Sequence, residues 1–132
     1  MTQRVLLVMS PDRRERIERF VDDGEIELAH ADGVAEARRK LSGPAVFDLA
    51  FVDSELRDGS WRDVLRSVLD THTRCEVVVC ARQGDERLWA EVIQCGAFDL
   101  VPEPMERQEV MRIMRSALDS HYLERFAEAS AF

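Results

Sequence analysis

The sequence predicts one α/β domain, a five-stranded parallel sheet flanked by five helices. Two observations carry this expectation. Short apolar segments, "RVLLVM", "EIELAHA", "FDLAFVD", "CEVVVCA" and "FDLV", recur along the chain, and each is followed by a stretch whose apolar residues fall at helical spacing. Strands that alternate with helices in this way pair in parallel and are covered on both faces. A length of 132 residues suits one core and is short for two.

The segment from Arg4 to Met9 holds consecutive aliphatics bounded by a turn, the pattern of a strand buried on both faces. Ser10 and Pro11 then supply an N-cap and a first-turn proline, so a helix runs from Pro11 to about Asp22 with Ile17, Phe20 and Val21 inward. "EIELAHA" alternates apolar and polar residues and reads as an edge or half-covered strand. A helix from Val34 to Leu41 follows, closed by "SGP". The strand from Phe47 to Asp53 terminates on an acid, "SELRDG" reads as a loop, and "SWRDVLRSVLDTH" is a helix with Val64, Leu65, Val68 and Leu69 inside. "CEVVVCA" is a further buried strand; "GDERLWAEVIQC" is a helix with Ala90 and Ile93 on its inner stripe, closed by Gly96. After the strand "FDLV", Val110, Ile113, Met114, Ala117 and Leu118 carry a helix from Glu106 to about Phe126. Residues 1–120 form the domain, and residues 121–132 extend its last helix or begin a linker.

Composition excludes several functions. The chain is 45% hydrophobic and 33% charged, which is that of a globular protein. Its net charge of −8 repels a phosphate backbone, and no arginine or lysine stripe overrides it, so nucleic acid is not an expected partner. The opening apolar stretch is too short for a signal peptide, and no other approaches a membrane span, so the expected location is cytoplasmic with no membrane partner. Cys75, Cys80 and Cys95 match no zinc or disulfide pattern and are expected as reduced, mostly buried thiols. His30, His72 and His121 lie far apart and are expected at the surface or at helix ends.

In a parallel α/β sheet, ligands bind beyond the carboxyl ends of the strands. Those ends carry Met9, Ser10, Pro11 and Asp12, then Asp53, then Cys80 to Arg82, then Glu103 and Pro104. With its surroundings, Asp53 makes the chain resemble the receiver domain of response regulators, the CheY-like module of two-component signalling, which has a flavodoxin-like fold. "FDLAFVDSELRDGSW" is similar to the family's strand that ends on the phosphorylated aspartate and is followed by a "DG" pair. "VVVCARQGDERLWAEVIQCGAFDLVPEP" resembles the family's second half, where a Thr or Ser closes the fourth strand, a Gly-Ala pair ends the fourth helix and a Lys-Pro pair ends the fifth strand. "GAFD" is wording common in receivers that precede ATP-driven transcriptional activators. The resemblance covers nearly the whole chain and implies Asp53 as the acceptor position, with a histidine kinase as donor.

The family's other pocket residues are replaced. Two acids that help hold magnesium correspond to Met9 and Ser10, the hydroxyl to Cys80 and the lysine to Glu103. A thioether has little affinity for a hard cation, and a thiol is a poor hydrogen-bond donor. Glu103 sets an anion beside Asp53; at about 5 Å and an effective dielectric near 20 the repulsion is roughly 3 kcal/mol. Met9 is expected to fill space and Ser10 to cap the first helix, where Asp12 complements the helix dipole. Arg82, or Arg4, is the expected partner for Glu103. Alternatively, Asp53, Glu103 and Asp12 form a rebuilt cation site.

In the family, the fourth helix, fifth strand and fifth helix carry dimerisation and partner binding. Here the resemblance implies a patch of Leu88, Trp89, Leu100, Met111 and Tyr122, while Trp61 is expected to pack as a lid on its loop. The expected function is a non-enzymatic signalling module acting through protein contacts, as a homodimer or with an output domain or regulator. Its control is phosphorylation-independent, and it takes no cofactor, with magnesium binding weak or absent. One alternative is a working regulator phosphorylated on Asp53 by a histidine kinase. Another is a sensor of a small ligand or a cation other than magnesium, for which the pocket must be open and not plugged by Met9.

Overall fold

Aliphatic runs that have no polar face must be covered on both sides, and this requirement sets the middle of the sheet. The computed structural model describes residues 2–71, 74–82 and 86–130, with side chains described as far as residue 121. In chain order the elements are β1 (Gln3–Val8), α1 (Pro11–Phe20), β2 (Ile26–Ala31), α2 (Val34–Leu41), β3 (Leu49–Asp53), β4 (Glu55–Leu56), β5 (Gly59–Ser60), α3 (Trp61–Asp70), β6 (Glu76–Ala81), α4 (Glu86–Gln94), β7 (Asp99–Pro102) and α5 (Arg107–Ser130). The main sheet is five-stranded and parallel in the order β2-β1-β3-β6-β7. Strands β1, β3 and β6, which carry the unbroken apolar runs, are central, and the alternating "EIELAHA" lies at an edge.

Side-chain alternation divides the core in two. Val5, Leu7, Leu49, Phe51, Val78 and Val101 face α1 and α5. Leu6, Val8, Ala50, Val52, Val77, Val79 and Leu100 face the residues of α2, α3 and α4. Chain order reverses between β1 and β3, so the ends of these two strands flank the switch point at which this topology places its crevice. Among the described residues no helix is long and apolar enough to cross a membrane.

Several local expectations are corrected. Ser10 stands at the N-cap of α1, but its side chain makes no capping hydrogen bond; Pro11, whose ring fixes φ for the first turn, starts the helix. The "SELRDG" loop contains a small antiparallel hairpin, β4 with β5. In α4 the inward residues are Val92 and half-buried Leu88, whereas Ala90 and Ile93 are exposed. The i,i+4 pair of larger side chains covers more apolar surface than an alanine. Trp61 is buried, as is Val64, but Leu69 is exposed. His121 is not at the surface. It is 4% exposed on α5, its Nδ1 lies 2.6 Å from the Arg74 carbonyl oxygen, and its Nε2 lies 3.0 Å from Asp48 Oδ1. Asp48 also accepts the Arg4 backbone N–H at 2.8 Å, so α5 is seated on the hub where β1 and β3 begin. His30 is exposed on β2, and His72 lies outside the described residues.

Two predictions follow from packing. Phe51→Ala removes a wholly buried ring from the α1/α5 side of the core and is expected to cost about 3–5 kcal/mol in chemical denaturation; a cost below about 1 kcal/mol contradicts this packing. The thiols are free, with Cys75 and Cys80 buried and Cys95 exposed. Burial pushes the Cys80 thiol up to about 12, and burial likewise raises Cys75. At mildly alkaline pH a thiol reagent is expected to modify Cys95 rapidly and the other two only after denaturation, because the thiolate is the nucleophile. Native-state modification of Cys80 at the rate of Cys95 contradicts the assignment.

Candidate functional site

The site follows from strand alternation. Met9 continues the parity of Val5 and Leu7, Asp53 that of Leu49 and Phe51, Cys80 that of Val78, and Glu103 that of Val101. Asp53 pairs in register with Cys80, and Cys80 with Val101. The carboxyl ends of the strands therefore turn Asp53 and Glu103 to the α1 side of the sheet. Asp53 is 0% exposed. A charge at such a place needs a counter-charge or good hydrogen bonds.

Arg13 supplies the counter-charge. It lies one turn before buried Ile17 on the inward stripe of α1 and is 13% exposed. Its Nε stands 3.0 Å from Asp53 Oδ2, and its Nη1 donates to Glu103 Oε1 at 2.6 Å. One planar guanidinium thus joins the two carboxylates, hydrogen-bonded to Glu103 and ion-paired with Asp53, a task suited to its delocalised charge. Arg16 Nη1 reaches Glu103 Oε2 at 3.4 Å, and the Met105 backbone N–H donates to the same oxygen at 3.3 Å. The other oxygen of Asp53, Oδ1, accepts the Glu55 backbone N–H at 3.3 Å.

This arrangement corrects the expected partner of Glu103. Arg82 turns to Asp53 instead, with Nη2 3.6 Å from Oδ2, and Arg4 pairs with Glu27. Neither competes with Arg13, which approaches Glu103 from the helix directly above it. Asp12 stays exposed on the first turn of α1 and does not join Asp53 and Glu103. Pro104 follows Glu103 through a cis peptide bond.

An open cleft of about 470 Å³ leads to Asp53, lined by Ser10, Pro11, Asp32, Glu55, Leu56, Arg57 and Arg82 besides Asp53 itself. Met9 does not plug it; the side chain is wholly buried in the core between the sheet and the α1/α5 pair. Asp32 was not singled out in the sequence. It follows β2, the neighbour of β1, and so belongs to the same carboxyl edge, where Arg14 Nη1 lies 3.6 Å from its Oδ1. Arg13 also left a signal. A charged residue four before Ile17 falls on a buried helical stripe, and a buried charge calls for a partner.

The expected interaction patch does not assemble on one surface. Leu100 is buried on the α2/α3/α4 side of the sheet and Met111 on the α1/α5 side, because β7 and α5 turn them into the two separate cores. Leu88 packs half-buried against the first of these. Tyr122 falls outside the described side chains. Trp89 remains, 51% exposed, with Nε1 donating to Asp99 Oδ1 at 3.3 Å and exposed Ile93 one turn further along α4.

No family model matches the chain. It is 28% identical over 117 residues to the response regulator protein PilR of Pseudomonas aeruginosa, covering 88% of this chain but 26% of that protein, so it spans about a quarter of that relative's length. Among solved structures, it superposes on the signal receiver domain of a LuxO-type repressor protein from Vibrio parahaemolyticus with a TM-score of 0.89 and 24% identity, over 97% of this chain and 98% of that one. A CheY-like response regulator receiver domain from Methanospirillum hungatei gives a TM-score of 0.80 at 15% identity, over 94% and 99% of the two chains. NtrX from Brucella abortus gives 0.86 at 21% identity, over 97% of this chain and 30% of that one. The chain thus has the fold of the CheY-like receiver domains, and in sequence it is similar to a response regulator.

Proposed function

We propose that this domain is a pseudo-receiver: a signalling module that works through protein contacts, without phosphorylation of Asp53 and without enzymatic activity. The observation that carries the reading is the single guanidinium of Arg13 set between Asp53 and Glu103. A receiver's acceptor carboxylate must be free to attack phosphorus, and here one of its oxygens faces a fixed cation. The group that would meet an incoming phosphoryl in the lysine position is an anion, which itself needs Arg13 and Arg16.

The donor set also does not fit magnesium, which demands near-octahedral oxygen ligands. Met9 is a thioether buried in the core, Ser10 brings one hydroxyl, and the acidic neighbour of Asp53 is already paired. Among the described residues no three His, Cys, Asp or Glu side chains are gathered in a metal-holding arrangement. Signalling then rests on surface contacts. Trp89 and Ile93 offer an apolar spot on α4 for a second copy of the chain or for an output domain.

The test is intact-mass measurement after incubation with acetyl phosphate and magnesium at neutral pH. The expected result is no covalent phosphoryl gain. A stoichiometric phosphoryl group that disappears in Asp53→Asn overturns the reading and makes the chain a working acceptor, with a histidine kinase as its donor.

A further inference from the structure

The segment that follows Asp53 is built as a short bridge between two places. At one end the Glu55 backbone N–H donates to Asp53 Oδ1 at 3.3 Å. At the other end Asp58, three residues on, reaches across to α2. Its Oδ1 accepts the Val34 N–H at 2.7 Å and its Oδ2 the Ala35 N–H at 3.1 Å. These are backbone donors that the first turn of a helix leaves unsatisfied, so a hairpin distant in sequence caps α2.

The surroundings are shaped for this clasp. A Cβ on Gly33 would stand 2.5 Å from Asp58 Oδ1, and one on Gly59 would stand 2.8 Å from Val34 Cγ2 and 2.5 Å from Asp63 Oδ2. Both glycines therefore permit a close approach of hairpin and helix. Between the two ends the hairpin is stiffened by pairing of Glu55 with Ser60 and Leu56 with Gly59. It is closed onto α3 by a capping box, in which Ser60 Oγ accepts the Arg62 N–H at 3.2 Å and Asp63 Oδ2 accepts the Ser60 N–H at 2.9 Å. Glu55, Leu56 and Arg57 meanwhile form one wall of the cleft over Asp53.

We propose that the β4–β5 hairpin is a strap coupling the Asp53 pocket to the first turn of α2, with Asp58 as its release point. Opening the clasp lifts the cleft wall and frees Asp53 Oδ1, and a partner that binds the start of α2 acts on the pocket through the same contacts. Two backbone donors hold the Asp58 carboxyl below its ordinary value, so at neutral pH it is ionised and accepts both hydrogen bonds. This inference does not depend on whether Asp53 takes phosphate.

Amide hydrogen exchange on the full chain at neutral pH tests it. In Asp58→Ala, exchange at residues 34 and 35 and throughout 54–60 is expected to speed up together by about tenfold or more, the pattern of one cooperative unit opening. Asp58→Asn, which keeps one carbonyl acceptor, is expected to fall between. If Asp58→Ala fails to fold, Gly33→Ala displaces the same carboxylate and is expected to give the same joint acceleration. Acceleration confined to residues 34 and 35, with 54–60 exchanging as in the parent chain, overturns the proposal and leaves Asp58 as a helix cap alone.

Discussion

The arrangement of this domain turns on one constraint: a carboxylate at the end of a central strand, with no access to solvent, must be neutralised from within the protein. Water cannot do it for Asp53, and a second acid at the end of β7 makes the demand larger. Arg13 answers both acids with one guanidinium. The repulsion expected between Asp53 and Glu103 becomes a bridged triad, in which removal of the arginine would leave Asp53 only the more distant Arg82 and Glu103 only Arg16 as charge partners. Breaking a buried ion pair from one side costs about 3–5 kcal/mol.

The bridge has a structural reach beyond the two acids. It ties the first turn of α1 to the ends of β3 and β7. The last turn of α1 is tied to the same neighbourhood by Arg107, whose Nε donates to the Phe20 carbonyl at 3.3 Å and whose Nη2 lies 2.6 Å from Asp22 Oδ2. Helix α1 is thus fastened at its start to the segment after β7 and at its end to the first residue of α5. On the other side of Asp53 the β4–β5 hairpin runs to α2. The end of β3 is thus a junction of contacts that reach α1, α2 and the segment after β7.

Much of this was legible in the residues. Unbroken aliphatic runs marked β1, β3 and β6 as central, and alternation along "EIELAHA" marked β2 as an edge. The same alternation places Met9, Asp53, Cys80 and Glu103 on one side of the sheet. Replacement of a cation by Glu103 was visible as an unsolved charge. Its solution was not, because Arg13 acts through a long side chain whose reach no spacing encodes; only its place on the stripe of Ile17 hinted at burial. His121 was misplaced for a related reason. It continues the inward stripe of α5, but the acceptors that let an imidazole be buried, the Arg74 carbonyl and Asp48, come from segments far away in sequence. In α4 the competition between Ala90 and Ile93 on one side and Leu88 and Val92 on the other is decided by how the helix rolls onto the sheet, which short periodicity does not fix.

The most direct test of the Arg13 bridge is NMR observation of arginine side-chain Nε–H groups in the whole chain. If the bridge stands, Arg13 Nε–H gives a resolved signal whose exchange with water is slowed well below that of exposed Arg115, and Glu103→Gln or Asp53→Asn removes that protection. An Arg13 signal that exchanges as fast as Arg115 and ignores both substitutions would contradict the account, because the acids at the strand ends would then owe nothing to it.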